Sequence, residues 1–292
     1  MTRPIPASDT RQAAFTLIEL LIVIAIIGVL AGFLVPSVMN ALEKAYQAEC
    51  QSNLKQIATS VITYTTDYKG GIPPTYIHDS DLYWCNLLAK RDLPAQNTAE
   101  LDEGQASGQH SVLLCPASST LYVKENDTWE DNEPDDPQGQ GWYRLGSSEY
   151  KTDCSYYWNG YVGESQDHRE RFPSLSVNYT NPYEIQIHDI SEIAQRSATA
   201  MVMDGVFFQR GNSLKPWYIA ARHRGTAGDH RVTNIAFYDS HVATLDRDPR
   251  TETGVEDWNQ EQNVGENLDL IPIMQRNPPL SDGPPWFKLP QR

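Results

Sequence analysis

The chain has 292 residues, a formal net charge of −15 and 40% hydrophobic residues. Such acidity, with no basic stripe, argues against a nucleic-acid partner, because phosphate binding needs clustered Lys and Arg. It also argues against simple electrostatic adsorption to anionic lipid, while the length suffices for one sizeable domain with an appendage.

Met1 to Ala14 is short and polar, carries Arg3 and Arg11 against Asp9, and ends in the small pair Ala13-Ala14. Residues 1–14 are therefore expected to be a leader. The next 21 residues, Phe15 to Val35, contain one charge, Glu19. At about 1.5 Å per residue they make a helix of roughly 31 Å, which matches the hydrocarbon thickness of a bilayer. Residues 15–35 are predicted to span a membrane. Arginines before the span and the mixed Glu43-Lys44 flank after it place the N-terminus in the cytoplasm and the remainder outside. A carboxylate in lipid is costly unless paired, so Glu19 marks a function and needs a partner. Cleavage after Ala14 would leave an α-ammonium on Phe15, four residues from Glu19 on the same helical face. That ammonium, from this chain or a neighbouring copy, is the expected partner. An ordinary secretory signal cut before Gly32 is the competing reading, and a glutamate inside the apolar run speaks against it.

Ala14-Phe15-Thr-Leu-Ile-Glu19-Leu-Leu resembles the processing site of type IV prepilins and type II secretion pseudopilins, whose usual form is Gly-Phe-Thr-Leu-Ile-Glu. The resemblance runs from Phe15 to about Leu34, and Pro36 stands where pilins often bend their helix. Ala14 in place of glycine is the departure. The resemblance implies cleavage by a prepilin peptidase between Ala14 and Phe15, N-methylation of Phe15, and assembly with other pilin-like subunits through Phe15 and Glu19. It also implies an α+β, pilin-like fold: a long N-terminal α-helix, membrane-spanning in its first half, packed on an antiparallel β-sheet domain outside the inner membrane.

The helical pattern continues over residues 36–68. Leu42, Tyr46, Cys50, Leu54, Ile57, Val61, Tyr64 and Tyr68 recur at steps of three or four as one apolar stripe, and Lys69-Gly70-Gly71 with Pro73-Pro74 stops it. The combined helix would be roughly 80 Å long. Asn53, Leu54, Lys55 and Gln56 following Cys50 narrow the resemblance to a bacterial prepilin-type family named for its H-X9-DG motif. Residues 69–245 are expected to form the extracytoplasmic β-rich domain. In it, Tyr83-Trp84 and Leu87-Leu88 indicate a short helix on the main one, Ser111 to Pro116 a strand, and Asn126 to Pro137 an acidic loop. Cys154 to Val162 reads as a strand and turn, Asp189 to Ala194 as a short helix, and Ala198 to Gly205 as a buried strand ending in an acidic turn. Val232 to Val242 alternates like a strand before a tight Asp239-Ser240-His241 turn. Arg222, His223, Gly225, Asn234, Phe237, Asp239, His241 and Val242 fit the family pattern, with Ser240 replacing a glycine and a short insertion between Thr226 and Arg231. Residues 246–292 form an acidic, proline-rich tail.

Cys50, Cys85, Cys115 and Cys154 would lie in a disulfide-permissive compartment, where four cysteines allow three full pairings. No Cys-x-x-Cys pair marks a zinc ribbon. Asp204, His223, Asp239 and His241 are the candidate metal ligands, weighed against a hydrogen-bonded turn. No cofactor is otherwise expected, although the carboxylate-dense loop could collect calcium or another divalent ion. Ser240 sits between Asp239 and His241, but neighbours on a strand point to opposite faces, and no nucleophile elbow or phosphate loop occurs. The chain is read as a structural filament subunit rather than an enzyme. The alternative is a membrane-anchored module that captures an extracytoplasmic ligand through its aromatic residues without polymerising.

Overall fold

A computed structural model describes residues 16–102, 111–118, 122–123, 142–158, 160–161, 174–175, 177, 188–193, 196–205, 222–224 and 231–245. The leader with Ala14 and Phe15, the acidic loop at 126–137, Gly225 and the tail from 246 lie outside the described residues. The chain divides into two units, residues 1–43 and 44–292.

In the first unit, helix α1 (Leu17–Asp67) begins as a run that is apolar to Val35 except for Glu19, and its side chains are all exposed up to Leu42. Ile and Val are modest helix formers in water, yet a lipid-facing backbone must satisfy its own hydrogen bonds, and a helix does so within one segment. The run has a mean hydropathy of 2.9 over its most apolar window, enough by length and composition to cross a membrane. Pro36 lies inside the helix and leaves the carbonyl one turn earlier without its amide donor.

In the second unit, the rest of α1 buries Cys50, Asn53, Leu54, Ile57, Ala58, Ser60, Val61, Tyr64 and Thr65. The expected apolar stripe holds from Cys50 to Tyr64. Its ends do not, since Leu42 and Tyr68 are exposed. The helix stops where Lys69 turns to a φ of 55° and Gly70 to 97°. The Gly70 amide reaches back to the Thr65 carbonyl at 2.6 Å. A side chain at Gly70 would collide with Asp189, because a Cβ there would sit 2.0 Å from Asp189 Oδ2.

The hairpin of β1 (Tyr76–Ile77) and β2 (Leu82–Tyr83) leads into helix α2 (Trp84–Arg91), as the aromatic and leucine spacing predicted. Arg91 ties α2 to α1 by an ion pair with Asp67. Its guanidinium lies 5.4 and 5.6 Å from the ring centres of Tyr64 and Tyr68.

A three-stranded sheet joins β3 (Tyr122–Val123), β4 (Trp142–Gly146) and β5 (Lys151–Cys154), with β4 and β5 an antiparallel hairpin. Arg144 and Asp153 are direct cross-strand partners and form a buried bidentate pair at 2.7 and 3.1 Å. After β6 (Tyr156–Trp158), the short strands β7 (Gly160–Tyr161) and β8 (Ser174–Leu175) pair in parallel.

The main sheet is antiparallel: β6, β9 (Ala200–Asp204) and β11 (Arg231–Phe237) lie side by side, with β10 (His223–Arg224) and β12 (Val242–Leu245) also paired to β11. All of β9 is buried, as expected of it. The core combines the α1 stripe with Trp84, Leu88, Trp158, Val202, Ile235 and Phe237, and Trp84 stacks on Trp158 at 5.0 Å. This is the expected α+β architecture of a long N-terminal helix packed on mainly antiparallel sheets.

Two local expectations change. Residues 111–116 form turns rather than a strand, because the Leu114 amide bonds back to the Ser111 carbonyl and the Leu113 amide to Ser111 Oγ. The short helix after Asp189 is a single 3-10 turn, Ile190–Glu192, capped by Asp189.

Candidate functional site

Two places carry chemistry: the N-terminus of α1 and a buried polar cluster beneath its second half. At the first, the Thr16 amide and hydroxyl both donate to Glu19 Oε2, at 2.9 and 2.7 Å, and the Glu19 amide donates back to Thr16 Oγ1 at 3.3 Å. This is a reciprocal capping box, which satisfies helix-end amides that lipid could not. The expected partner of Glu19, the Phe15 amine, lies outside the described residues. The Thr-x-x-Glu spacing is itself a capping signal in the sequence, and it was missed beside the stronger reading of Glu19 as an ion-pair member.

At the second, α1 is held on the sheet by polar residues on adjacent turns. Gln51 Nε2 donates to Thr244 Oγ1 at 2.8 Å and to Asn234 Oδ1 at 3.3 Å. Lys55 Nζ donates to the Ser240 carbonyl at 2.6 Å, and Asn53 Nδ2 to the Leu114 carbonyl at 3.1 Å. Leu54 is fully buried, whereas Gln56 turns to its own helix at Ser52. The residues that carry the narrower resemblance on α1 thus mostly serve the helix–sheet contact.

The four candidate metal ligands do not meet. Asp239 Oδ1 accepts from the His241 amide at 3.1 Å and lies 2.6 Å from His241 Nδ1, in an exposed turn where His241 stacks on Phe237. Phe237 pairs with Ala200. Asp204 is therefore four residues along β9 from that end of the sheet, about 13 Å at strand rise. Asp204 and His223 instead come together with Cys50 and Cys115. The sequence had placed these cysteines only as disulfide candidates. Nothing local could have joined them, since the four residues come from α1, a turn, β9 and β10.

All four cysteines are buried free thiols, so no bridge joins Cys50, Cys85, Cys115 or Cys154. Cys85 accepts from Thr152 Oγ1, and Cys154 donates to the Tyr156 carbonyl, both at 3.6 Å. Cys50 Sγ donates to Asp204 Oδ1 at 2.8 Å, and Cys115 Sγ lies 3.4 Å from His223 Nε2, which is 3.5 Å from Asp204 Oδ2. Burial pushes the Cys115 thiol up, but hydrogen bonds with Cys50 and His223 outweigh it and bring the group down to about 6. Burial pushes His223 down, while Asp204 and Cys115 raise it to about 9. Burial raises Cys50 well above its ordinary value. The arrangement is not a catalytic triad: His223 presents the same Nε2 to both sulfur and carboxylate, so Asp204 cannot orient the ring through Nδ1. Cys115 is also only 1% exposed, which denies it a substrate.

Residues 9–35 match the family described as the prokaryotic N-terminal methylation motif. Over 97 residues the chain is 36% identical to the type IV major fimbrial protein FimA of Dichelobacter nodosus, covering 32% of this chain and 58% of that protein. It is 44% identical over 52 residues to the type IV major pilin protein PilA of Myxococcus xanthus, covering 18% of this chain and 24% of PilA. It is 39% identical over 57 residues to the type II secretion system core protein G of Aeromonas hydrophila, covering 20% of this chain and 40% of that protein. Each match spans less than two thirds of the relative's length. No solved structure matches at comparable significance.

Proposed function

We propose that this chain, whose N-terminal segment matches the prokaryotic N-terminal methylation motif and is similar to type IV pilins and a type II secretion core protein, is a structural subunit of a pilus-like or pseudopilus filament. The observation that carries this reading is the exposed run from Leu17 to Val35, apolar but for one carboxylate, Glu19, in its first turn. Exposed Leu, Ile and Phe side chains each forgo about 1.5–3 kcal/mol of burial in water, so the run needs lipid before assembly and neighbouring helices after it.

In this reading a prepilin peptidase cuts after Ala14 and Phe15 is methylated. The subunit waits in the inner membrane with its N-terminus in the cytoplasm and residues beyond Pro36 outside. Glu19 then pairs with the Phe15 ammonium of an adjacent subunit. The helices align in register as they leave the bilayer, and the β-rich domain decorates the filament.

The deciding experiment is the N-terminal residue and intact mass of the chain recovered from its native membrane fraction. A start at Phe15, heavier by one methyl group, is the expected result. A start at Met1 with a monomeric protein would favour the membrane-anchored ligand-binding alternative, and a start at Gly32 would mark a secreted domain.

A further inference from the structure

Cys50, Cys115, Asp204 and His223 converge from four separate parts of the second unit, and their donor atoms all lie within 4.8 Å of one another. None is more than 1% exposed. A tetrahedral ion with metal–sulfur bonds of about 2.3 Å and metal–nitrogen or metal–oxygen bonds of about 2.0–2.1 Å separates its ligands by roughly 3.3–3.8 Å. Cys115 Sγ to His223 Nε2, at 3.4 Å, falls in that range, and Cys50 Sγ to Asp204 Oδ1, at 2.8 Å, is shorter than it; His223 Nε2 lies 3.5 Å from the other carboxylate oxygen, Asp204 Oδ2. An ion would push Cys50 and Asp204 apart and draw in the donors that lie up to 4.8 Å from one another.

The surroundings orient each donor. The Asn234 amide and Nδ2 both donate to Asp204 Oδ2, at 2.9 and 3.2 Å, which turns Oδ1 toward Cys50. Asn234 is held in turn by Thr244 and Gln51. The Cys115 amide donates to Ser155 Oγ at 2.6 Å, fixing the turn that presents its sulfur. Tyr156 donates its hydroxyl to Cys50 Sγ at 3.5 Å. Such outer contacts are what hold ligands in place around a metal. His223 Nδ1 has no partner among the described residues, so Nε2 is the nitrogen aimed at the cluster.

Charge also balances. Two thiolates, one carboxylate and a divalent ion sum to one negative charge, and the buried Arg222 guanidinium acts on both Cys115 and Asp204. The donor set selects the ion. Thiolate and imidazole suit zinc, whereas calcium and magnesium take oxygen ligands.

We propose that Cys50, Cys115, Asp204 and His223 bind one zinc ion in a closed tetrahedral site that fastens α1 to the main sheet. Binding displaces two protons to solvent, one from Cys50 and one from the hydrogen-bonded Cys115–His223 pair, and involves no electron transfer. Four protein ligands leave no open position for a substrate, so the site is structural.

The test uses the full chain extracted in detergent without chelators, with metal content measured beside free-thiol content and intact mass. The expected result is one zinc per chain. X-ray absorption of that sample should show two sulfur ligands near 2.3 Å and two lighter ligands near 2.0 Å, a measurement that needs no variant. Asp204→Asn and Cys50→Ser should lower zinc at least about tenfold, while Asp239→Asn and His241→Gln keep it. A wild-type chain without zinc after supplementation, a Cys50–Cys115 disulfide seen as the loss of two hydrogens, or a shell made only of oxygen would each overturn the proposal. The filament reading does not depend on this outcome, because it is tested at Phe15.

Discussion

Glu19 can act in two ways that a single substitution confuses and a pair separates. Its carboxylate caps the helix through the Thr16 amide and hydroxyl, and in a filament it would pair with an ammonium. Glu19→Gln keeps an oxygen that can accept from Thr16 but removes the charge, whereas Glu19→Ala removes both. Loss of a cap costs about 0.5–2 kcal/mol, at most a thirtyfold effect or so. Breaking an ion pair in a low-dielectric environment costs about 3–5 kcal/mol, a factor of roughly 100 to 4,000 in the subunit concentration that sustains assembly. The assay compares filament sheared from cells with processed subunit retained in the membrane. Both Glu19 variants should insert and be processed, and both should reduce sheared filament by about a hundredfold or more. Thr16→Ala, which removes only the hydroxyl half of the box, should cost no more than about tenfold. Wild-type assembly by Glu19→Gln alongside failure of Glu19→Ala would show that Glu19 serves as a cap, and the charge-pairing mechanism would be wrong.

Three further outcomes follow from the second unit. Ser240 holds a φ of 68° in the β11–β12 turn, a conformation that costs a non-glycine residue about 1 kcal/mol. Ser240→Gly should therefore raise the unfolding free energy by about that amount, less the contact of Lys55 with Ser240 Oγ, while the Lys55 bond to the carbonyl remains; a lower unfolding free energy in denaturant titration would mean that the hydroxyl contact outweighs the strain. Arg144→Met leaves Asp153 buried without its bidentate partner and should destabilise by about 3–5 kcal/mol, with Arg144→Met combined with Asp153→Leu recovering most of the loss in chemical denaturation. Gly70→Ala meets both a positive φ and the Asp189 carboxylate. It should lower stability by about 2 kcal/mol or more, and an unchanged denaturation curve would show that the turn after α1 is not fixed as described.

How much of this was legible in the sequence depended on whether the relevant interaction is local. The apolar first part of the helix, the lone Glu19, the stripe from Cys50 to Tyr64 and the Gly70 stop all follow from spacing along one helix, and the structure has them there. Strands β9 and β11 were legible because a buried run and an alternating run are each complete within one segment. The strand expected at 111–116 failed because Ser111 closes a turn with its own hydroxyl and carbonyl, a competition that hydrophobicity does not reveal.

The buried cluster failed for a different reason. Asp239 and His241 group with Asp204 and His223 in the sequence as imidazoles and carboxylates expected at adjacent strand ends, but antiparallel pairing puts these strand ends at opposite ends of the sheet. Register sets Met203 against Ile235 and Ala200 against Phe237, so Asp204 sits beside Asn234 and away from the turn that follows Phe237. The space left at Asp204 is filled from outside the sheet's own sequence, by Cys50 on the helix laid across it and Cys115 from the turn that Ser155 anchors. A ligand set assembled in this way exists only once the helix has docked. If zinc binds there, metal affinity and docking of α1 are one equilibrium, and a substitution that loosens either must weaken both.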